Sequence, residues 1–263
     1  MQVRLPQIHP LVWCAEPISC ATHFLGAIGL LFCAVIMSAR RKQNGLRTAR
    51  SLLVFLASGI VVLSASSIYH FLPIESAARN AFQIIDHSAI FVLIAASIAA
   101  VHDLTFSGLW RWGVIAAAWL IAAVCIFMKV ICFAGISEAV SVSVYLALGW
   151  LGCLSVIALA CRRGIRCTLP LIYGDIAYTV GAVLEYWQWP VVISGIIGPH
   201  EVFHLAVICG IGFHCRFIMN ALHEKEMWFE IQTSASKSRP TPPFPEEHQL
   251  RGSRIKFGHV STR

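Results

Sequence analysis

Charge is what this chain has least of: Asp, Glu, Lys and Arg make up 13% of its 263 residues, against 57% hydrophobic residues. A soluble domain of this length must face water with its outside, and such a composition leaves too little polar surface to do so. The sequence also lacks any CxxC spacing. Its ten cysteines, at 14, 20, 33, 125, 132, 153, 161, 167, 209 and 215, fall mostly inside apolar runs, where cysteine behaves as a small hydrophobe. Neither a disulfide framework nor a cysteine zinc site is expected. No internal repeat is visible, so a repeat architecture is not expected either. The first apolar run, with Glu16 and His23 around its start, is too long for a signal-peptide core, and no cleavage is expected.

What is there in quantity is apolar sequence, and it reads as an all-α integral membrane protein that crosses the bilayer several times. A span needs about 20 mostly apolar residues. Seven such stretches occur, at 21–39, 51–71, 84–101, 112–128, 139–161, 168–189 and 202–222. Trp110, Trp112, Trp187 and Trp189 stand at expected span ends, where the indole prefers the interface. From Glu224 the composition turns to Ser, Pro, Lys, Arg and Glu, including Arg239-Pro240-Thr241-Pro242-Pro243-Phe244-Pro245. Residues 1–222 are therefore expected to form a seven-helix bundle, and 223–263 a disordered basic tail.

The net charge of +7 could suggest a nucleic-acid partner, but the basic residues cluster between apolar runs. Arg40, Arg41, Lys42, Arg47 and Arg50 fill the first loop and Arg162, Arg163 and Arg166 the fifth, whereas the even loops hold little beyond Arg79 and Lys129. Membrane lipids are the expected partners, and no nucleic acid is expected. Positive loops stay in the cytoplasm, so the expected location is the plasma (inner) membrane with the N-terminus outside and the C-terminus inside.

Ionisable residues in a span cost about 2.5–3.5 kcal/mol each at the bilayer centre unless they are paired or line a cavity. His200 and His204 lie four apart in Gly198-Pro199-His200-Glu201-Val202-Phe203-His204. At about 100° per residue a helix presents both on one face, with Glu201 pointing elsewhere, and Pro199 suits the first helical position. His70 closes the second span, and Asp86 and His87 open the third. Consecutive spans are antiparallel, so these ends share one membrane face and His70, Asp86, His200 and His204 can converge. Three imidazoles and a water satisfy a tetrahedral zinc with an open position, and Asp86 could hold that water and take its proton. Each assignment has a plainer alternative. Two histidines on one helix can be hydrogen-bonded core residues, Asp86 can be a carboxylate favoured by a helix N-terminus, and Ser66 can serve backbone bonding and packing. Glu16 and His23, two helical turns apart, are expected to support the ligands from behind, together with His87, Glu201 and His214, though His214 also suits a buried hydrogen-bonding role. Asp175 and Glu185 receive no assignment.

Ser66-x3-His70, Asp86 sixteen residues later, and His200-x3-His204 followed by His214 resemble the hemolysin III family, which is related to the progestin and adipoQ receptors and more distantly to the alkaline ceramidases. Glu16, Ser19 and His23 resemble that family's first motif, with Ser19 standing where Asn is usual. Tyr178-Thr179-Val180-Gly181 and the 198–204 segment look like its sixth and seventh helices. The resemblance implies a seven-helix fold with zinc held by His70, His200 and His204, a water held by Asp86, and Ser66 nearby. It further implies hydrolysis of lipid amides, regulation of membrane lipid composition, or cytolysis. The receptor relatives are usually drawn with the zinc site on the cytoplasmic side, opposite to the charge pattern here.

The leading functional expectation is a zinc-dependent membrane hydrolase acting on a lipid amide or ester, with Asp86 as general base and Ser66 bonding the developing oxyanion. An intramembrane metalloprotease is the alternative in which His200-Glu201-x-x-His204 supplies the base through Glu201. A non-enzymatic sensor or pore-forming protein, with zinc stapling the second and seventh helices, is the third.

Overall fold

The structure is a computed structural model that describes residues 14–44 and 50–237. Among the described residues eight α-helices follow one another: α1 (Pro17–Asn44), α2 (Arg50–Phe71), α3 (Ala77–Thr105), α4 (Gly108–Ile131), α5 (Glu138–Trp150), α6 (Cys153–Arg163), α7 (Ile165–Trp187) and α8 (Pro199–Lys237). Among the described residues there is no β-sheet, only an isolated bridge such as that between Ile193 and Ile197. Seven helical segments among the described residues are long and apolar enough to cross a membrane, the fifth being α5 and α6 together. The protein is a multi-pass, all-α membrane protein, as the apolar runs predict.

The helix ends follow local chemistry. Ser76 caps α3 by accepting from the Arg79 amide at 3.1 Å, so this helix begins at Ala77, a full two turns ahead of the apolar run at 84. That corrects one expectation: Asp86 lies in the interior of α3, not at its start, and the helix dipole, which acts within the first turn, does not account for it. Pro199 is the first residue of α8, as its ring favours. Gly164, with φ of 86°, makes the turn from α6 to α7, a left-handed conformation that a residue with a Cβ adopts only at a cost. The sequence pattern does not show the break in span five at Leu151-Gly152 or the 3₁₀ turn Phe133–Gly135.

Helices α2, α3 and α8 are the most buried and form the centre, with Leu52, Phe55, Leu63, Ala96, Ala100, Ile211 and Ile218 packed together. The large side chains of α4, including Leu120, Val124, Phe127 and Ile131, face outward as a lipid-facing surface requires. In a bilayer the hydrophobic effect does not drive helices together, so close packing must. Helices α7 and α8 show how: the Tyr178 ring lies where a Cβ on Gly210 would be, 2.5 Å away, and Ala206 fills the space beside Gly181 at the same distance.

The chain divides into two compact units, Met1–Glu224 and Lys225–Arg263. The boundary expected after residue 222 falls inside α8, which is helical to Lys237, and the remainder of the expected tail lies outside the described residues.

Candidate metal centre

Antiparallel connection brings the end of α2, the end of α7 and the start of α8 to one face of the bundle. His70 is the penultimate residue of α2, while His200 and His204 occupy successive turns at the start of α8. Their rings converge through one kind of atom. Nε2 of His200 lies 3.2 Å from Nε2 of His70 and 3.0 Å from Nε2 of His204. All three offer ligand atoms within 4.8 Å of one another. Imidazole nitrogens suit zinc, copper, iron or nickel rather than calcium or magnesium, so these residues could hold a transition-metal ion.

The far sides of the rings decide how well they fit that purpose. His70 is 1% exposed, and its Nδ1 bonds the Glu16 carboxylate. His200 Nδ1 lies 3.3 Å from Glu185 Oε1. A carboxylate on the outer nitrogen fixes the tautomer and aims the inner nitrogen, the arrangement found behind metal-binding histidines. His204 is held differently, by the His23 ring stacked on it at 3.7 Å and 10°. Glu16 is itself anchored by Arg79, whose guanidinium donates to Glu16 Oε1 at 2.6 Å and to the carbonyls of Tyr69 and Leu72 at the end of α2. Burial would raise the Glu16 pKa, but the His70 hydrogen bond and the His70 and Arg79 charges outweigh it and hold the carboxyl down to about 2.

Glu201 is 1% exposed and turned away from the three rings. Its Oε2 accepts from the Gly198 amide at 2.8 Å, half of a capping box at the start of α8, and its Oε1 accepts from Ser19 at 2.6 Å. Ser19 thus supplies a hydrogen bond from the position where the resemblance places Asn, and ties α1 to α8. Both carboxylate oxygens are engaged in structure, so nothing here favours Glu201 as a base.

Asp86 and Ser66 line a cavity of about 1040 Å³ whose wall also carries His70 and His200, and Ser66 offers Asp86 a hydrogen bond. His87 lines the same cavity with its ring near Phe133, 5.7 Å between centroids, while its carbonyl accepts from the Tyr145 hydroxyl at 2.9 Å. His214 is not with the other histidines, lying deeper in α8 with Nε2 3.3 Å from Asp175 Oδ1. The sequence names two further residues of this site without giving them a role in it. Glu185 lies in the last turn of α7 at the same face as His200, a placement the topology already implies. Arg79 reads in the sequence as a loop charge, and only the cap at Ser76 reveals it as a helical residue aimed inward.

Comparison with known proteins adds the lineage. A family model described as haemolysin-III related matches residues 11–215. The chain is also 27% identical over 192 residues to Hemolysin-3 of Bacillus cereus, covering 72% of this chain and 83% of that protein. The matched region holds every residue of the histidine cluster and its supports, and on that match the chain belongs to the haemolysin-III related family.

Proposed function

We propose that the protein is a zinc-dependent hydrolase of a lipid amide or ester in the membrane. The observation that carries this reading is the convergence of three Nε2 atoms, two of them backed by carboxylates, on a cavity whose wall presents Asp86 and Ser66. His70, His200 and His204 would hold the zinc. When bound, the ion would act as a Lewis acid on the substrate carbonyl and make water more acidic. The chain's own residues supply the rest. Asp86 would take the proton of the attacking water, the Ser66 hydroxyl would donate to the oxyanion as it develops, and Glu16 with Arg79, Glu185 and His23 keep the three rings in place. The cavity is large enough for an acyl chain. We infer as well that this face of the bundle is extracytoplasmic.

Replacing Asp86 by Asn tests the chemistry. Purified variant and wild type should carry equal metal by elemental analysis, because the three imidazoles remain, and hydrolysis of a lipid amide should fall by about 10²–10⁴-fold. Equal rates at equal metal content would remove Asp86 from the mechanism.

A further inference from the structure

A second pair of reactive groups meets in the same cavity, far from the metal centre. His102 lies in the last turn of α3, sixteen residues beyond Asp86, or about 24 Å at 1.5 Å per residue. Ser155 lies in the first turn of α6, just past the break in span five. Both line the cavity, yet they are only 1% and 4% exposed. The Ser155 hydroxyl donates to His102 Nε2 at 2.7 Å, and His102 Nδ1 donates to the Trp110 carbonyl at 3.2 Å. A carbonyl oxygen only accepts. Nδ1 therefore carries the ring proton, and Nε2 is the bare nitrogen facing the serine.

This is unlike three other buried hydroxyls of the bundle, although those of Ser19 and Ser67 also bond across helices. Ser58 donates to the Phe55 carbonyl, Ser97 to Ile94 and Thr168 to Ile165, each within its own helix. Such bonds satisfy a hydroxyl at little structural cost and leave it unreactive. Ser155 instead reaches across from α6 to α3, to an acceptor that is also a base, and a third group orients that base. Nucleophile, base and orienter in that order are the minimal parts of a serine acyl-transfer site.

We propose that Ser155 and His102 form a serine nucleophile and base that accept the acyl group of a lipid ester, independently of the metal centre. Ser155 Oγ adds to the ester carbonyl as its proton passes to His102 Nε2. The C–O bond to the alcohol then breaks, and the departing oxygen takes that proton back from His102, leaving an acyl-serine and a free alcohol. Water releases the acid by the same two transfers. The apolar walls at this end, among them Val101, Val156 and Leu171, suit a long acyl chain. An ester is the fitting substrate because the orienter is a neutral carbonyl rather than a carboxylate, which stabilises the imidazolium less, and an alkoxide leaves more readily than an amide nitrogen.

A long-chain alkyl fluorophosphonate tests this on the full-length protein in detergent micelles. Wild type should gain one phosphonyl group per chain, located on Ser155 by peptide mass spectrometry. His102→Gln should slow the labelling by about 10²-fold or more. Wild type treated with a metal chelator should label at the untreated rate, which separates this site from the metal-dependent reading. Ser97 is an internal control in the wild-type chain, since it lines the same cavity but donates to its own helix. Labelling of Ser155 no faster than Ser97, or at an unchanged rate in a folded His102→Gln variant, would overturn the proposal.

Discussion

Glu201 sits between two histidines that face a common centre, and its own carboxylate is occupied by Ser19 and the Gly198 amide. In a metalloprotease of the His-Glu-x-x-His type the glutamate must face the substrate water, and this one faces a helix cap. Glu201→Gln therefore separates the two hydrolytic readings. It should leave lipid hydrolysis within a few-fold of wild type while lowering stability by about 1 kcal/mol, the usual scale of a lost cap, as measured by thermal unfolding. A loss of activity as deep as that of Asp86→Asn, with the metal retained, would return the base to Glu201. Glu185 is the complementary case. Because it lies behind His200, Glu185→Gln should weaken metal affinity by about 10–100-fold, read by competition with a chelator, with the three ligands still present. Unchanged affinity would mean that His200 is oriented by packing alone. The convergence of His70, His200 and His204 was legible in the sequence because spacing and antiparallel topology are both arithmetic on residue number. Glu185, Arg79 and the His102–Ser155 pair were not, since each depends on which way a side chain turns between helices, and no periodicity in one helix records its neighbour's rotation.

At the level of elements, the spans were legible for the reason that membranes make them so: every backbone group must be satisfied within its own segment, and the apolar run is long. What escaped were the places where polar sequence stays helical. Helix α3 begins at Ala77 because Ser76 caps it and because Arg79 finds Glu16 and two carbonyls, so residues that look like loop are drawn into the bundle. The gap in span five escaped in the opposite sense, since Leu151 and Gly152 sit within an unbroken apolar run. The contact between α7 and α8 carries its own prediction. Gly210 lies against the Tyr178 ring and Gly181 against Ala206, so there is no room for even one methyl group at either. Gly210→Ala should destabilise the protein by about 1–3 kcal/mol through overpacking, measured as a lowered midpoint of thermal or denaturant unfolding in micelles. Gly212→Ala is the control, since a Cβ there meets nothing within 4 Å. Equal effects from the two would show that α7 and α8 are not held by close approach.

For the whole molecule the open matter is which face of the bundle meets the cytoplasm, and the structure sharpens the charge argument. Of the two basic residues in the even connections, Arg79 is 7% exposed and paired with Glu16, and Lys129 is 5% exposed with its ammonium on the Ser141 hydroxyl. Neither presents its charge to the membrane surface on the side of the histidine cluster. At the opposite face Arg50, Arg162, Arg163 and Arg166 are all exposed, and Arg40, Arg41 and Lys42 lie on the last turns of α1, which end at that same face. The asymmetry of exposed positive charge is thus greater than the sequence count alone suggests. Positive residues in short loops resist translocation, so that face should remain cytoplasmic and the three histidines should lie on the far side of the membrane. Single-cysteine labelling in intact cells reads this directly, on a background with the native cysteines replaced. A cysteine at exposed Glu75, between α2 and α3, should react with a membrane-impermeant maleimide, and one at exposed Arg166 only after the cells are opened. The reverse pattern would place the three histidines inside and would require a substrate that arrives from the cytoplasmic leaflet.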